Sequence, residues 1–123
     1  MVIDTSIFIE FQRSKDKTKA HLYRLPESIN LYVTSVTFYE LLMGATDQTK
    51  RDDIFKLTSD LPVLPFDDSV ALKSSEIYHL LRKQNKMIEF RDIFIAATCM
   101  VYELPLKTLN TKHFSRISGL TLA

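Results

Sequence analysis

The chain has 123 residues, 46% of them hydrophobic and 25% charged, and its sixteen Lys and Arg stand against fifteen Asp and Glu for a formal charge of +1. A domain of this size buries roughly two-thirds of the surface its unfolded chain exposes, and this composition excludes the charge-rich, apolar-poor signature of disorder. Bulk charge argues neither for nor against a polyanionic partner.

In chain order, MVI (1–3) forms the first expected strand and ends on Asp4, followed by Thr5, Ser6 and a helical start at IFIEF. A strand beginning at Met1 leaves no room for the basic and apolar regions of a secretion signal, so a cytoplasmic location is expected. INLYVTS (29–35) is the second strand and TFYELLMGA (37–45) the following helix, with Phe38, Leu41 and Leu42 at i, i+3, i+4 and Gly44 near its stop. PVLPF (62–66) is a third strand, and SVALKSSEIYHLLRKQ (69–84) a helix whose stripe carries Val70, Leu72, Ile77, Leu80 and Leu81. RDIFIAATCMVYE (91–103) is apolar nearly all round, which predicts a helix pinned between a sheet and another helix, with Cys99 as a core thiol. Its longest apolar run, 93–101, is far short of the ~20 residues that cross a bilayer. LPLKTL (104–109) and LTL (120–122) complete the strands.

No repeat or linker divides the chain, so residues 1–123 form one domain. Short strands alternating with helices imply parallel pairing through right-handed crossovers. The fold class is α/β: a three-layer α/β/α sandwich around a short, parallel, Rossmann-like sheet. Ligands in such sheets gather beyond the carboxyl ends of the strands. The basic clusters at Arg13 to Lys19, Arg82 to Lys86 and Lys112 to Arg116 read as solvated faces.

Three acids stand at element boundaries: Asp4, Glu40 and Asp92. Each has a structural explanation. Asp4 can cap a helix, Thr37-Phe38-Tyr39-Glu40 matches a capping box, and Asp92 can complement a helix dipole. The topology nevertheless brings all three to one edge of the sheet. Two carboxylates about 4 Å apart repel by roughly 4 kcal/mol at an effective dielectric of 20, so three together call for a counter-charge. Hard oxygen ligands without His or Cys at ligand spacing suit magnesium or manganese and phosphoester chemistry.

The blocks VIDTSIFIE, TSVTFYELLMGA, FRDIFIAATC and TLNTKHFSRISGLTL resemble, in that order, the signature blocks of PIN domains, and within them of VapC-type toxins. The intervening LPVLPFDDSVALKSSEIYHLLRKQ is similar to the same subfamily, so the resemblance covers nearly the whole chain. It implies a magnesium- or manganese-dependent ribonuclease acting on RNA, a homodimer, and a small VapB-like antitoxin partner. Asp4, Glu40 and Asp92 match the family's acidic metal-site positions. Asn110, in Thr108-Leu109-Asn110, falls on the fourth and lowers the negative charge there. RKQNKMIEFRD departs from the pattern: it lacks a glycine before the third acid and adds Glu89, which is expected to face solvent.

The resemblance implies in-line attack of water on an RNA phosphodiester, with Asp4 and Asp92 holding the metal and Glu40 a direct or water-mediated ligand able to take a proton. Thr5, Ser6 and Thr108 either orient these carboxylates, bind phosphate or act as N-caps or turn residues. Asn110 would hydrogen-bond water at the metal. His113 beside Lys112 is either a phosphate donor or incidental. His21 and His79 have no acidic partner at a useful spacing and read as surface or packing residues, and Tyr32, Phe38, Tyr39 and Phe90 as packing. Two rivals compete: a receiver-like phosphoacceptor module using Asp67, Asp68 and Lys107, and a catalytically silent interaction domain of the same fold. Neither a G-x-G-x-x-G nor a phosphate-loop motif occurs.

Overall fold

The computed structural model describes residues 1–123. Strands β1 (Val2–Ile3), β2 (Val33–Thr34), β3 (Val63–Leu64) and β4 (Leu106–Lys107) alternate with helices α1 (Thr5–Arg13), α2 (Ser35–Met43), α3 (Gln48–Thr58), α4 (Asp68–Lys83), α5 (Phe90–Val101) and α6 (Thr111–Phe114). β1 pairs in parallel with β4, and β2 with β3. The two ladders join through Tyr32: Ile3 N–H donates to the Tyr32 carbonyl at 2.9 Å, and Tyr32 N–H to the Met1 carbonyl at 3.0 Å. A parallel bridge from Leu106 to Leu122 extends the far edge. The order is therefore β3-β2-β1-β4, closed by the chain around Leu122. The chain turns one way from β1 to β2 and β3, and the other way to β4, so the strand order reverses between β1 and β4. Ligands are expected at such a reversal.

Alternate strand residues point to opposite faces, and the core divides accordingly. Val2, Leu64 and Leu106 pack with the buried residues of α4, α5 and α6, including Val70, Ile77, Leu81, Ile93, Ala96 and Phe114. Ile3 and Val33 pack on the other face with Ile7 and Phe8 of α1, Leu41 of α2 and Ile54 of α3. Each fully buried side chain of this size contributes about 1.5–3 kcal/mol by leaving water. The three expected layers are present. α5 buries Ile93, Ile95, Ala96, Ala97, Thr98 and Cys99, as its apolar run predicts, and the Cys99 thiol is pushed up to about 12 by burial.

Several expectations need correction. The strands are two residues each, because each expected run ends in a turn or the next helix; Ser35, read as strand, opens α2. Leu122 forms a single bridge. Helix α3 was not expected: it is strongly polar and buries only Ile54 and Thr58, so little periodic apolar signal announces it. In α4 the inward stripe is Val70, Ser74, Ile77 and Leu81, while Leu72 and Leu80 face outward. No helix is long and apolar enough to cross a membrane.

Candidate active site

Asp4 follows β1 directly and occupies the N-cap position of α1, yet its side chain makes no cap hydrogen bond. Instead its Oδ2 accepts two hydroxyl donors, Ser6 Oγ and Thr108 Oγ1, each at 2.7 Å. The residue is only 3% exposed, and its Oδ1 is buried without a hydrogen-bond partner. A buried acceptor left unpaired costs about 1–3 kcal/mol, more when charged, so this oxygen is held against a penalty. The capping explanation for Asp4 is overturned by that geometry.

The capping box at Thr37 and Glu40 does not form either. Helix α2 starts earlier, and Thr34 caps it by accepting from Thr37 N–H at 3.0 Å. Glu40 is thereby carried one turn further into the helix. Its Oε1 accepts Thr5 Oγ1 at 2.9 Å, and its Oε2 meets Arg91 Nη1 at 3.3 Å. Thr5 Oγ1 also lies 3.0 Å from the buried Thr37 hydroxyl. Asp92 sits in the first turn of α5, whose N-cap is Glu89.

Burial, followed by the charges of Asp4, Glu89 and Glu40, raises the Asp92 carboxyl from 3.8 to about 6, and nearby His113 opposes this. Burial is the largest cause, and the like charges of Asp4, Glu89 and Glu40 add to it. His113 Nδ1 lies 3.8 Å from Asp92 Oδ2 and 2.9 Å from Asn110 Nδ2. Asn110 N–H donates to Thr108 Oγ1 at 2.9 Å.

Hydrogen bonds, ion pairs and chain adjacency together link these residues into a ring. From Asp4 it runs through Ser6 and Thr108 to Asn110, through His113 to Asp92, along the chain to Arg91 and on to Glu40, then to Thr5, the chain neighbour of Asp4. Every residue expected at the site lies on it: Asp4, Glu40, Asp92, Asn110, Thr5, Ser6 and Thr108. Thr5 donates to Glu40, and Ser6 and Thr108 donate to Asp4; none of the three serves as a helix N-cap, while Thr108 also makes the expected turn contact by accepting Asn110 N–H. Glu89 is exposed as expected and pairs with Arg91 Nη2 at 3.1 Å. One member has no mark in the sequence: Arg91 is a single arginine beside an aspartate and carries no pattern, although adjacency to the third acid is a signal. His113, expected as a phosphate donor or as incidental, links to Asp92 instead, and that contact joins α6 to α5, which spacing does not show.

Other side chains differ from expectation. His21 does have an acidic partner, Glu10, at 2.7 Å, and the two together with the His21 N–H staple a loop onto α1. Tyr39 and Phe90 are 59% and 60% exposed and lie outside the core, although the Phe90 ring packs beside Tyr78 with centroids 6.0 Å apart. Asp67 caps α4 by accepting from Val70 N–H at 3.0 Å, which removes the carboxylate that a phosphoacceptor module would need.

As they stand, no three His, Cys, Asp or Glu side chains are close enough together to hold a metal ion. The arrangement fits a divalent cation nonetheless. Asp4 Oδ1 is an oxygen without a partner, Asp92 is crowded by like charge, and Glu40 is paired with a half-exposed arginine that solvent screens.

The PIN domain family matches residues 1–120. The chain belongs to the PIN-domain family. Among PIN-domain relatives, Ribonuclease VapC of Rickettsia bellii is 35% identical over 127 aligned positions covering 98% of this chain and 92% of that protein. Ribonuclease VapC1 of Methanocaldococcus jannaschii is 26% identical, with 95% and 80% covered. The solved structure of VapBC-1 from nontypeable Haemophilus influenzae contains a chain that is 28% identical and aligns with a TM-score of 0.85 over 99% of this chain and 95% of its own. A chain of Rickettsia felis VapBC2, solved bound to a DNA fragment from its promoter, shares the PIN fold at a TM-score of 0.86 and 20% identity, covering 99% and 96%.

Proposed function

We propose that this PIN domain is a metal-dependent endoribonuclease, the toxin of a toxin–antitoxin pair, which hydrolyses RNA phosphodiesters at the ring of acids between β1 and β4. The observation that carries this reading is the buried, unpartnered Oδ1 of Asp4, set in a ring that also holds Glu40, Asp92 and Asn110. Similarity to ribonucleases named VapC along 98% of the chain supports the reaction class. Similarity to a chain of a solved VapBC assembly supports a small VapB-like antitoxin as partner. An enzyme acting on cellular RNA works in the cytoplasm. A homodimer is part of the proposal, supported by the exposed Tyr39, Phe66, Leu72, Leu80 and Phe90, which a second copy would cover.

Asp4, Asp92 and Glu40 would hold magnesium, or manganese, through hard carboxylate oxygens. When bound, such an ion lowers the pKa of an attacking water and offsets charge gathering on the phosphate. The protein's own groups supply orientation. Ser6 and Thr108 fix one oxygen of Asp4 and leave the other without a hydrogen-bond partner. Thr5 holds Glu40, which takes the proton of the attacking water. Asn110, tied by its N–H to Thr108, presents a neutral amide where a fourth carboxylate would add charge.

Expression of the chain with and without the short reading frame adjacent to its gene tests the proposal. Growth arrest with RNA fragmentation, relieved by the neighbour and absent in Asp92→Asn, is the expected result. Intact RNA with the wild-type chain, alongside normal metal binding, would favour the silent interaction domain.

A further inference from the structure

Arg91 stands one residue before Asp92 and forks between two carboxylates, with Nη1 3.3 Å from Glu40 Oε2 and Nη2 3.1 Å from Glu89 Oε2. The two partners differ in setting. The Glu40 side chain is 15% exposed, whereas Glu89 is 68% exposed. With Thr5 on Oε1 and Arg91 on Oε2, both oxygens of Glu40 are engaged.

We propose that Arg91 is a resident counter-ion of the site: its guanidinium holds Glu40 while no divalent cation is bound and gives it up when one binds. The inference rests on the metal-carboxylate function proposed above. Three physical points carry it. First, a guanidinium that is 46% exposed forms a pair that solvent screens, so a doubly charged ion can displace it at little cost. Second, Glu89, 3.1 Å from Arg91 Nη2, keeps the released arginine paired, so its charge is not left unmatched. Third, a ligand whose binding state must first be released binds with an affinity reduced by the fraction of molecules in that state. Arg91 therefore stabilises the metal-free protein and raises the metal concentration needed to load it. It acts through Glu40 and is a positioning residue.

The test is a calorimetric Mn2+ titration of the full chain without RNA. Arg91→Met, which keeps the aliphatic stem and removes the charge, is expected to bind Mn2+ about fivefold more tightly, the scale of losing one exposed ion pair. Arg91→Lys is expected to return the affinity toward wild type. In a Glu40→Gln background the same Arg91→Met change is expected to have almost no effect, which separates displacement from a general loss of positive charge. Unchanged or weaker Mn2+ binding by Arg91→Met, with wild type binding and Asp92→Asn not, would overturn the role of Arg91 while leaving the metal site standing. An equal gain in the Glu40→Gln background would also overturn it. No Mn2+ binding by the wild-type chain would overturn both the inference and the metal site it rests on.

Discussion

The starts of α1 and α4 follow one local plan. A short parallel strand leads into an aspartate at the helix N-cap, Asp4 in the first case and Asp67 in the second. Asp67 does what local chemistry favours and accepts the Val70 N–H at 3.0 Å. Asp4 makes no such bond; it turns away from its own helix, takes hydroxyl donors from Ser6 and Thr108, and leaves Oδ1 buried and unpaired. The difference lies in what surrounds each aspartate. β3 is at the edge of the sheet, whereas β1 is central and adjoins β4, so a side chain leaving β1 meets Thr108 on the next strand's end. A cap aspartate on an edge strand stabilises its helix. The same residue at the strand-order reversal becomes available for chemistry.

The comparison can be broken most directly by activity. Asp4→Asn and Asp92→Asn are each expected to lower Mn2+-dependent RNA cleavage by at least about a hundredfold, the scale of losing a positioned catalytic group. Asp67→Ala is expected to leave cleavage intact. Cleavage by a folded Asp4→Asn protein at the wild-type rate would remove the distinction between the two aspartates. Next in size is Thr108→Val, which deletes one charge-assisted donor to Asp4; unfolding in urea should show a loss of about 1.5–3 kcal/mol. Asp67→Ala should cost about 1 kcal/mol in the same assay, the usual value of a cap.

The smallest effect concerns pH. The Asp92 carboxyl is raised from 3.8 to about 6 by burial and then by Asp4, Glu89 and Glu40, so the folded protein holds a proton that the unfolded chain releases. Its contribution to stability is present below pH 3.8 and is lost as pH rises through about 6. In metal-free buffer, Asp92→Asn should therefore gain stability relative to wild type across that window. The gain should be less than about 1 kcal/mol at pH 8, because the site is partly screened by solvent. A variant less stable than wild type at pH 8 would place Asp92 among the helix-supporting acids, with Asp67.

Much of this molecule was legible from the chain. The alternation of β-branched runs with helical stripes determined a parallel sheet in three layers, because residue type and period decide which faces must leave water. The apolar run of α5 determined a buried helix, and the positions of Asp4, Glu40, Asp92 and Asn110 at element starts marked where to look. Helix α3 escaped because a helix that buries only Ile54 and Thr58 has almost no period to detect. The exposure of Tyr39 and Phe90 escaped because a stripe tells which residues are apolar and not whether a neighbouring element covers them. The helix boundary at Thr34 decided that Glu40 would face Thr5 and Arg91 rather than its own amides. The Thr108 bond to Asp4 and the Arg91 pair with Glu40 belong to the tertiary structure, since each joins side chains delivered from separate elements, whereas Ser6 and Glu89 are local partners two residues away. Local sequence sets the energies of strands, helices and caps, but a hydrogen bond between distant residues is chosen by packing.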